Sequence, residues 1–268
     1  METKKEKTLQ SAPPGLATGA LKLIIGEDMF NYFVAAVGYK VVEHQLQVKM
    51  VEYNPKPRNK DKEEDEEEKP TYQIRVPGGS FDPDDLIEVI NKLDSEIIST
   101  HKKNELKRKI EMEVGYARMD KSYKEEDHMV RAKYAKNFSV IVRSFFIPGQ
   151  EDKLEVILKN CILQTLKREM EDEVSGEFTS ATLVFDKRLE DGHCKYTAVI
   201  NDLKGPDSTK GSGDLDIISS EYMSADLASR RVWGGHRVVL RSGLLHIREL
   251  MKEQKETAIV NNLNSLLA

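Results

Sequence analysis

The feature that most constrains the fold is an alternation of apolar and polar residues that stops and then resumes beyond an acidic segment. The first run covers residues 42–50, with Val42, His44, Leu46, Val48 and Met50 on one face. The second run follows at Tyr72, Ile74 and Val76. Because side chains of a strand point alternately to its two faces, each run predicts a half-buried antiparallel strand. The two runs therefore predict paired strands joined by an expanded hairpin connection.

The intervening segment, residues 54–70, contains seven acidic and five basic residues and is framed by prolines. A segment of this composition has no apolar surface to bury, so we expect a mobile loop inserted in the domain. Two interpretations remain open. The segment is either a solvated surface insertion or a docking site for a basic partner.

Helical periods follow the second run. Asp82 suits an N-cap, Pro83 suits the first helical position, and an apolar stripe runs through Leu86, Val89 and Ile90. A second helix is expected beyond Thr100, and a third over residues 151–170, where Cys161 lies on the apolar face as a core thiol. A short helix at 224–231 and a closing helix carrying Ile247, Leu250, Met251, Ile259, Leu263 and Leu266 complete the set.

Further strands are predicted over residues 137–147, 178–186, 194–202, 214–222 and 236–242. The Asp191-Gly192 pair indicates a hairpin between the second and third of these. The expected fold class is α+β, a mixed, mainly antiparallel sheet with about three packed helices on one face. We expect a disordered arm at residues 1–19 and a single domain over 20–268, with a possible sub-boundary near 119–134.

Composition excludes several classes of protein. The net charge of −5 argues against wholesale coating of nucleic acid, so any such binding must come from local patches. The sequence lacks an apolar stretch of the roughly 20 residues that span a bilayer, and its first fifteen residues lack the apolar core expected of a secretory signal. The two cysteines, Cys161 and Cys194, favour a reduced, intracellular protein. We therefore expect a cytoplasmic protein without a transmembrane helix.

Catalytic motifs are incomplete. The sequence has no P-loop, dinucleotide fingerprint, nucleophile elbow or zinc-ligand spacing, so no cofactor and no structural metal are predicted. The stretch "GSGDLDI" places Asp214 and Asp216 on one face of a strand, where paired carboxylates could hold magnesium. It resembles the signature of the polymerase-β-like nucleotidyltransferases. In that family, however, the Gly-Ser pair starts a separate helix before the aspartates and a third carboxylate follows.

Positive charge concentrates near the C-terminus. The segment 230–252 contains six basic residues and one acidic residue, and it includes the only tryptophan. Arginine suits phosphate groups, and a neighbouring aromatic ring can stack on a base or lie at a membrane interface. The predicted anion-binding residues here are Arg230, Arg231, Trp233, Arg237, Arg241 and Arg248. The alternative is that Trp233 is a core anchor and the arginines pair with surface acids.

A second basic cluster consists of Lys102, Lys103, Lys107 and Arg108, which could extend the same surface if the fold brings them together. The leading hypothesis is a non-enzymatic assembly or interaction protein that self-associates and binds RNA, a nucleoprotein or an acidic membrane surface. These traits would suit a viral matrix-type or accessory structural protein. The alternatives are a magnesium-dependent nucleotidyltransferase using Asp214 and Asp216, and a protein adaptor that docks through the acidic segment.

Overall fold

A computed structural model describes residues 15–17, 23, 25–54, 72–124, 128–189, 192–211 and 216–268. The strands are β1 (Gly15–Ala17), β2 (Tyr32–Val42), β3 (Gln45–Tyr53), β4 (Gln73–Arg75), β5 (Gly78–Ser80), β6 (Ser180–Arg188), β7 (Cys194–Ile200), β8 (Ser208–Lys210) and β9 (Ile217–Ser224). The helices are α1 (Pro83–Lys92), α2 (Thr100–Met119), α3 (Lys121–Lys124), α4 (His128–Arg143), α5 (Glu151–Val174), α6 (Ala225–Arg231), α7 (Gly234–Glu253) and α8 (Thr257–Leu267).

The strands form one sheet in the order β1-β6-β7-β2-β3-β9-β8, with β4 beside β3 and β5 beside β2. Only β1–β6 and β2–β7 are parallel among the pairs of the described strands. The predicted α+β class with a mixed, mainly antiparallel sheet is therefore confirmed. The eight helices of the described ranges exceed the predicted number of about three.

Helices cover both faces of the sheet. Along β2, Tyr32, Val34 and Ala36 belong to a core shared with α1, α2, α4 and α5, which we call the first core. The intervening Ala35, Val37 and Tyr39 belong to a second core under α6, α7 and α8. Because both faces of β2 are covered, its residues from Tyr32 to Tyr39 read as a continuous apolar run. The prediction that helices cover one face was therefore wrong.

The alternating segment at residues 42–50 contains a turn that its pattern does not indicate. Leu46, Val48 and Met50 are buried on one face of β3, as predicted, but Glu43 and His44 form the turn between β2 and β3. Their φ angles are 48° and 62°. Two-residue hairpin turns require positive φ at both positions and usually use Asn or Gly, so this turn has no sequence signal.

Two predicted strands are helical. In the first of them, residues 137–143 belong to α4, where Ala135, Phe138 and Val142 are buried at helical spacing. Residues 236–242 lie in α7, whose buried face includes Val239 and Leu240. In both segments the β-branched residues favour a strand locally, but packing stabilises a helix, against α2 in the first core for α4 and against the sheet for α7. The predicted closing helix is also divided, since α7 ends before Lys255, which has a φ of 63°.

Other predictions are confirmed. Asp82 caps α1 by accepting a hydrogen bond from the Asp84 amide, and Pro83 occupies the first turn. Cys161 is a fully buried thiol on α5. Strands β6 and β7 form the predicted antiparallel pair. None of the described helices is long and apolar enough to cross a membrane.

The ends of the acidic segment are fixed by the sheet. Strands β3 and β4 are antiparallel, with Tyr53 opposite Gln73, which confirms the predicted pairing across the insertion. Residues 55–71, and with them most of the acidic segment, lie outside the described residues. Of the predicted arm, Gly15–Ala17 form β1 beside β6, and the rest of residues 1–19 also lies outside them.

Candidate functional site

The arginines of α7 share one side of the helix. With 3.6 residues per turn, Arg237, Arg241 and Arg248 lie within about 40° of one another around the helix axis. The buried face, centred about 90° away around the helix axis, packs on the sheet through Val239, Leu240, Leu244, Ile247 and Met251. The helix approaches β2 closely because Gly243 has no side chain. The arginines therefore lie along one edge of the buried face, where Arg237 and Arg241 are exposed and Arg248 is half-buried.

The five arginines of the predicted anion-binding set, two on α6 and three on α7, differ in their partners. The guanidinium group of Arg230 lies 2.9 Å from Asp226, and that of Arg248 lies 2.8 Å from Glu249. Arg241 donates a 2.6 Å hydrogen bond to the Leu267 carbonyl near the end of α8. Arg231 and Arg237 are exposed and make no ion pair within the described ranges. Their charges are therefore the most accessible of the set.

Trp233 lies at the start of this surface. Its backbone amide donates a 2.8 Å hydrogen bond to the Ile74 carbonyl, and the adjacent Val232 is buried and forms a parallel bridge with Ile74. These contacts fix the backbone beside β4, yet 44% of Trp233 is exposed. Trp233 is therefore held on the surface rather than buried as a core anchor.

Arg75 lies between two aromatic rings. Its guanidinium carbon is 3.9 Å from the centre of the Tyr53 ring and 5.0 Å from the centre of the Trp233 ring. The guanidinium group also donates hydrogen bonds of 3.0 and 2.5 Å to Gln73 Oε1. Burial lowers the pKa of Arg75, and Tyr53 and Glu173 oppose that shift. We call Tyr53, Arg75 and Trp233 the aromatic–arginine stack.

The hairpin register explains the first contact of this stack. Tyr53 is opposite Gln73 and Val51 is opposite Arg75, so Tyr53 and Arg75 are diagonal neighbours on one face. Diagonal neighbours lie within reach when one side chain is aromatic and the other is long. Sequence reasoning missed both residues, although the predicted pairing across the acidic segment contained the signal.

His236 packs against Trp233, a member of the aromatic–arginine stack. It is only 9% exposed, and its ring centre lies 5.7 Å from that of Phe33 and 5.8 Å from that of Trp233. Burial lowers the pKa of His236 to about 4, and the nearby Arg75 and Lys195 add to the effect. Its Nδ1 atom has no hydrogen-bond partner among the described residues. His236 is therefore a neutral ring at physiological pH.

Asp216 lies near the same stack. Its Oδ2 atom accepts a 3.4 Å hydrogen bond from the Tyr53 hydroxyl. Asp214, the other member of the predicted carboxylate pair, lies outside the described residues. Within the described ranges, no group of three or more His, Cys, Asp or Glu side chains is placed to hold a metal ion.

The second basic cluster lies elsewhere. Helix α2 packs through Leu106, Ile110 and Val114 into the first core, on the opposite face of the sheet from α7. The ammonium group of Lys103 donates to the carbonyls of Asn91 and Leu93 at the end of α1.

Lys107 lies 3.8 Å from Glu111, while Lys102 and Arg108 are exposed. The two basic clusters therefore do not form one surface.

Comparison of the chain with protein-family models, curated proteins and solved structures finds no match in any of the three.

Proposed function

We propose that this protein is a non-enzymatic, cytoplasmic interaction protein that binds single-stranded RNA. The binding surface consists of Trp233 together with Arg231 and Arg237. The observation that carries the proposal is the exposed Trp233 ring, which contacts Arg75 and lies close in sequence to Arg231 and Arg237, two exposed arginines that form no ion pair among the described residues. A base can stack on such a ring, while the arginines contact the flanking phosphates.

The position of Trp233 supports stacking. Stacking needs an exposed ring whose orientation is fixed before binding, since ordering a mobile side chain opposes association. Here the backbone of Trp233 is hydrogen-bonded to β4, and its ring contacts Arg75, His236 and Gly235. The first turn of α7 contains no acidic residue, so the positive end of the helix dipole is not neutralised.

The test is a titration with a fluorescently labelled oligouridylate at several salt concentrations. Binding should weaken as salt rises, with a slope of about −0.7 per phosphate contacted on a single strand. Replacing Arg231 and Arg237 with Gln should therefore reduce the slope by about 1.4. Trp233→Ala should weaken binding by about 5- to 150-fold, since stacking contributes roughly 1–3 kcal/mol per base. Trp233→Phe should retain part of that affinity.

Two control variants sharpen the result. Arg248→Gln changes an arginine of the same helix that is paired with Glu249, and Arg108→Gln changes an exposed arginine on the opposite face. Both should affect binding less than Arg237→Gln. Absent or salt-insensitive RNA binding would overturn the proposal. Binding to phosphatidylserine vesicles but not to RNA would identify an acidic membrane as the partner instead.

Self-association is the second part of the proposal, and an exposed apolar stripe on α2 supports it. Met112, Tyr116 and Met119 follow the i, i+4, i+7 spacing and are 54%, 54% and 74% exposed. Such a stripe fits the same stripe of a second copy in a two-fold pair. A native mass measurement tests this, because Tyr116→Glu should convert a dimer to a monomer. A wild-type monomer at high concentration would refute it.

A further inference from the structure

The outer side of helix α4 carries positive charge that neither the RNA surface nor the α2 stripe uses. The helix contains four Lys and Arg residues and no acidic residue, in a chain whose net charge is −5. With 3.6 residues per turn, four exposed residues lie within about 80° of one another, centred about 150° from the side that packs into the first core. These residues are Lys133, Lys136, Val140 and Arg143.

The three cations of this group are accessible. Lys133 is exposed, and its ammonium group lies 5.4 Å from the centre of the Tyr134 ring. Lys136 lies 3.1 Å from Glu27, but 53% and 60% of the two side chains are exposed, and an exposed pair of this kind contributes little energy. Arg143 is exposed and makes no ion pair among the described residues. All three charges can therefore meet an external anion.

Two large apolar side chains accompany the cations. Val140 is 48% exposed and lies between Lys136 and Arg143 along the helix. Beyond the helix the chain continues in a turn, with the Phe146 amide donating a 3.0 Å hydrogen bond to the Arg143 carbonyl, and the next residue, Ile147, is 66% exposed. We call the whole group the α4 stripe. It consists of Lys133, Lys136, Val140, Arg143 and Ile147.

We propose that the α4 stripe docks on the surface of an anionic lipid bilayer. The three cations complement the negative headgroups, while Val140 and Ile147 enter the boundary between headgroups and acyl chains. Lysine suits this arrangement, because its stem lies along apolar surface while its ammonium group stays with the headgroups.

The shape and charge of the stripe favour a bilayer over other partners. The side of a single helix is convex and fits a flat surface, whereas a small ligand needs a concave site. The stripe contains no aromatic ring on which the bases of single-stranded RNA could stack. A second copy fits poorly through the same stripe, since three cations would face three cations.

The experiment is sedimentation of the full chain with vesicles of phosphatidylcholine alone and of an equal mixture with phosphatidylserine. Binding should require phosphatidylserine and weaken as salt rises. Replacing Lys133, Lys136 and Arg143 together with Gln should weaken binding about 100-fold, because each cation at such a surface contributes about fivefold. The matched control makes the same change at three exposed lysines on other elements and should bind as the wild type does. These are Lys187, Lys210 and Lys255.

A tryptophan at position 140 tests whether the apolar residues enter the bilayer. Trp233 is the only tryptophan of the chain, so Val140→Trp combined with Trp233→Phe reports on the stripe alone. Its emission should shift to shorter wavelength on binding and should be quenched by brominated lipid. A bound variant without quenching would contradict the proposed docking.

Two further measurements distinguish a bilayer from other partners. The triple Gln variant of the α4 stripe should bind oligouridylate and keep the native mass as the wild type does. Loss of RNA binding would identify a nucleic acid as the partner of the stripe, and a changed mass would identify a second copy. Either result overturns the proposal, as does equal vesicle binding by the stripe variant and its control. Vesicle binding that is lost in Arg231→Gln with Arg237→Gln, but kept in the stripe variant, would also refute it.

The proposal does not depend on the RNA surface, because the vesicle and RNA measurements use different residues.

Discussion

The buried His236 makes the stability of the protein depend on pH in a way that can be calculated. Its pKa is about 4 in the folded protein, against 6.5 for the unfolded chain. Because the unfolded chain takes up the proton first, this histidine reduces stability as the pH falls from about 6.5 to about 4. Above about pH 6.5 the imidazole is neutral in both the folded and the unfolded protein, so none of this stability is lost.

The size of the effect follows from the two pKa values. Between pH 7.5 and pH 5.0 the linkage relation gives a loss of about 2 kcal/mol from this residue alone, at 1.36 kcal/mol for each pKa unit. Other ionisable groups also contribute to the pH dependence of stability. Their contributions cancel when the wild type is compared with His236→Gln, which has no titrating group at this position.

The assay is urea unfolding of both proteins at pH 7.5 and pH 5.0. The wild type should lose about 2 kcal/mol more than His236→Gln over this interval. The exposed His101 provides a control, and His101→Gln should follow the wild type. If the free energies of unfolding of the wild type and His236→Gln change in parallel, His236 titrates normally and the argument from its burial is refuted.

Three further predictions concern other parts of the molecule. Gly243→Ala should destabilise by about 1–3 kcal/mol in thermal unfolding, because its Cβ would lie 2.5 Å from Val37 Cγ2 and overpacking outweighs the gain in helix propensity of about 1 kcal/mol; a stabilised variant would contradict this. Deleting residues 56–69 should leave the circular dichroism spectrum and the unfolding midpoint nearly unchanged, since the β3–β4 pairing can close with a shorter connection, and loss of the fold would disprove it. Arg75→Leu should increase quenching of Trp233 fluorescence by acrylamide, as the stack loses a cation–π contact of about 1 kcal/mol; unchanged quenching would show that Arg75 does not order the ring.

Local signals in the sequence predicted the elements whose periodicity agrees with their packing. Asp82 and Pro83 marked the start of α1, and the apolar stripe of α5 identified its buried face. The β-branched residues of α4 and α7 favour strands locally, but packing of α4 on α2 and of α7 on the sheet makes those segments helical. The turn at Glu43 and His44 could not be predicted from the sequence, because neither residue is typical of positive φ.

The candidate site was only partly predictable for a related reason. Trp233, Arg231 and Arg237 stood out as a composition anomaly within one segment of the sequence. Tyr53 and Arg75 are distant from that segment and from each other along the chain, and the sheet register brings them together. Nor did the sequence indicate that the basic residues of α2 and α7 lie on opposite faces, because that depends on which core each helix joins.

The β3–β4 pairing also separates the length of the insertion from the geometry of the stack. Tyr53 and Gln73, the outermost ladder pair of the two strands, lie on either side of the acidic segment. Additions or losses within the segment change the entropy of a connection that closes at a fixed pair, and this entropy varies only slowly with length. Homologous chains could therefore differ widely in the length and charge of this segment while Tyr53, Arg75 and Trp233 keep the same spacing.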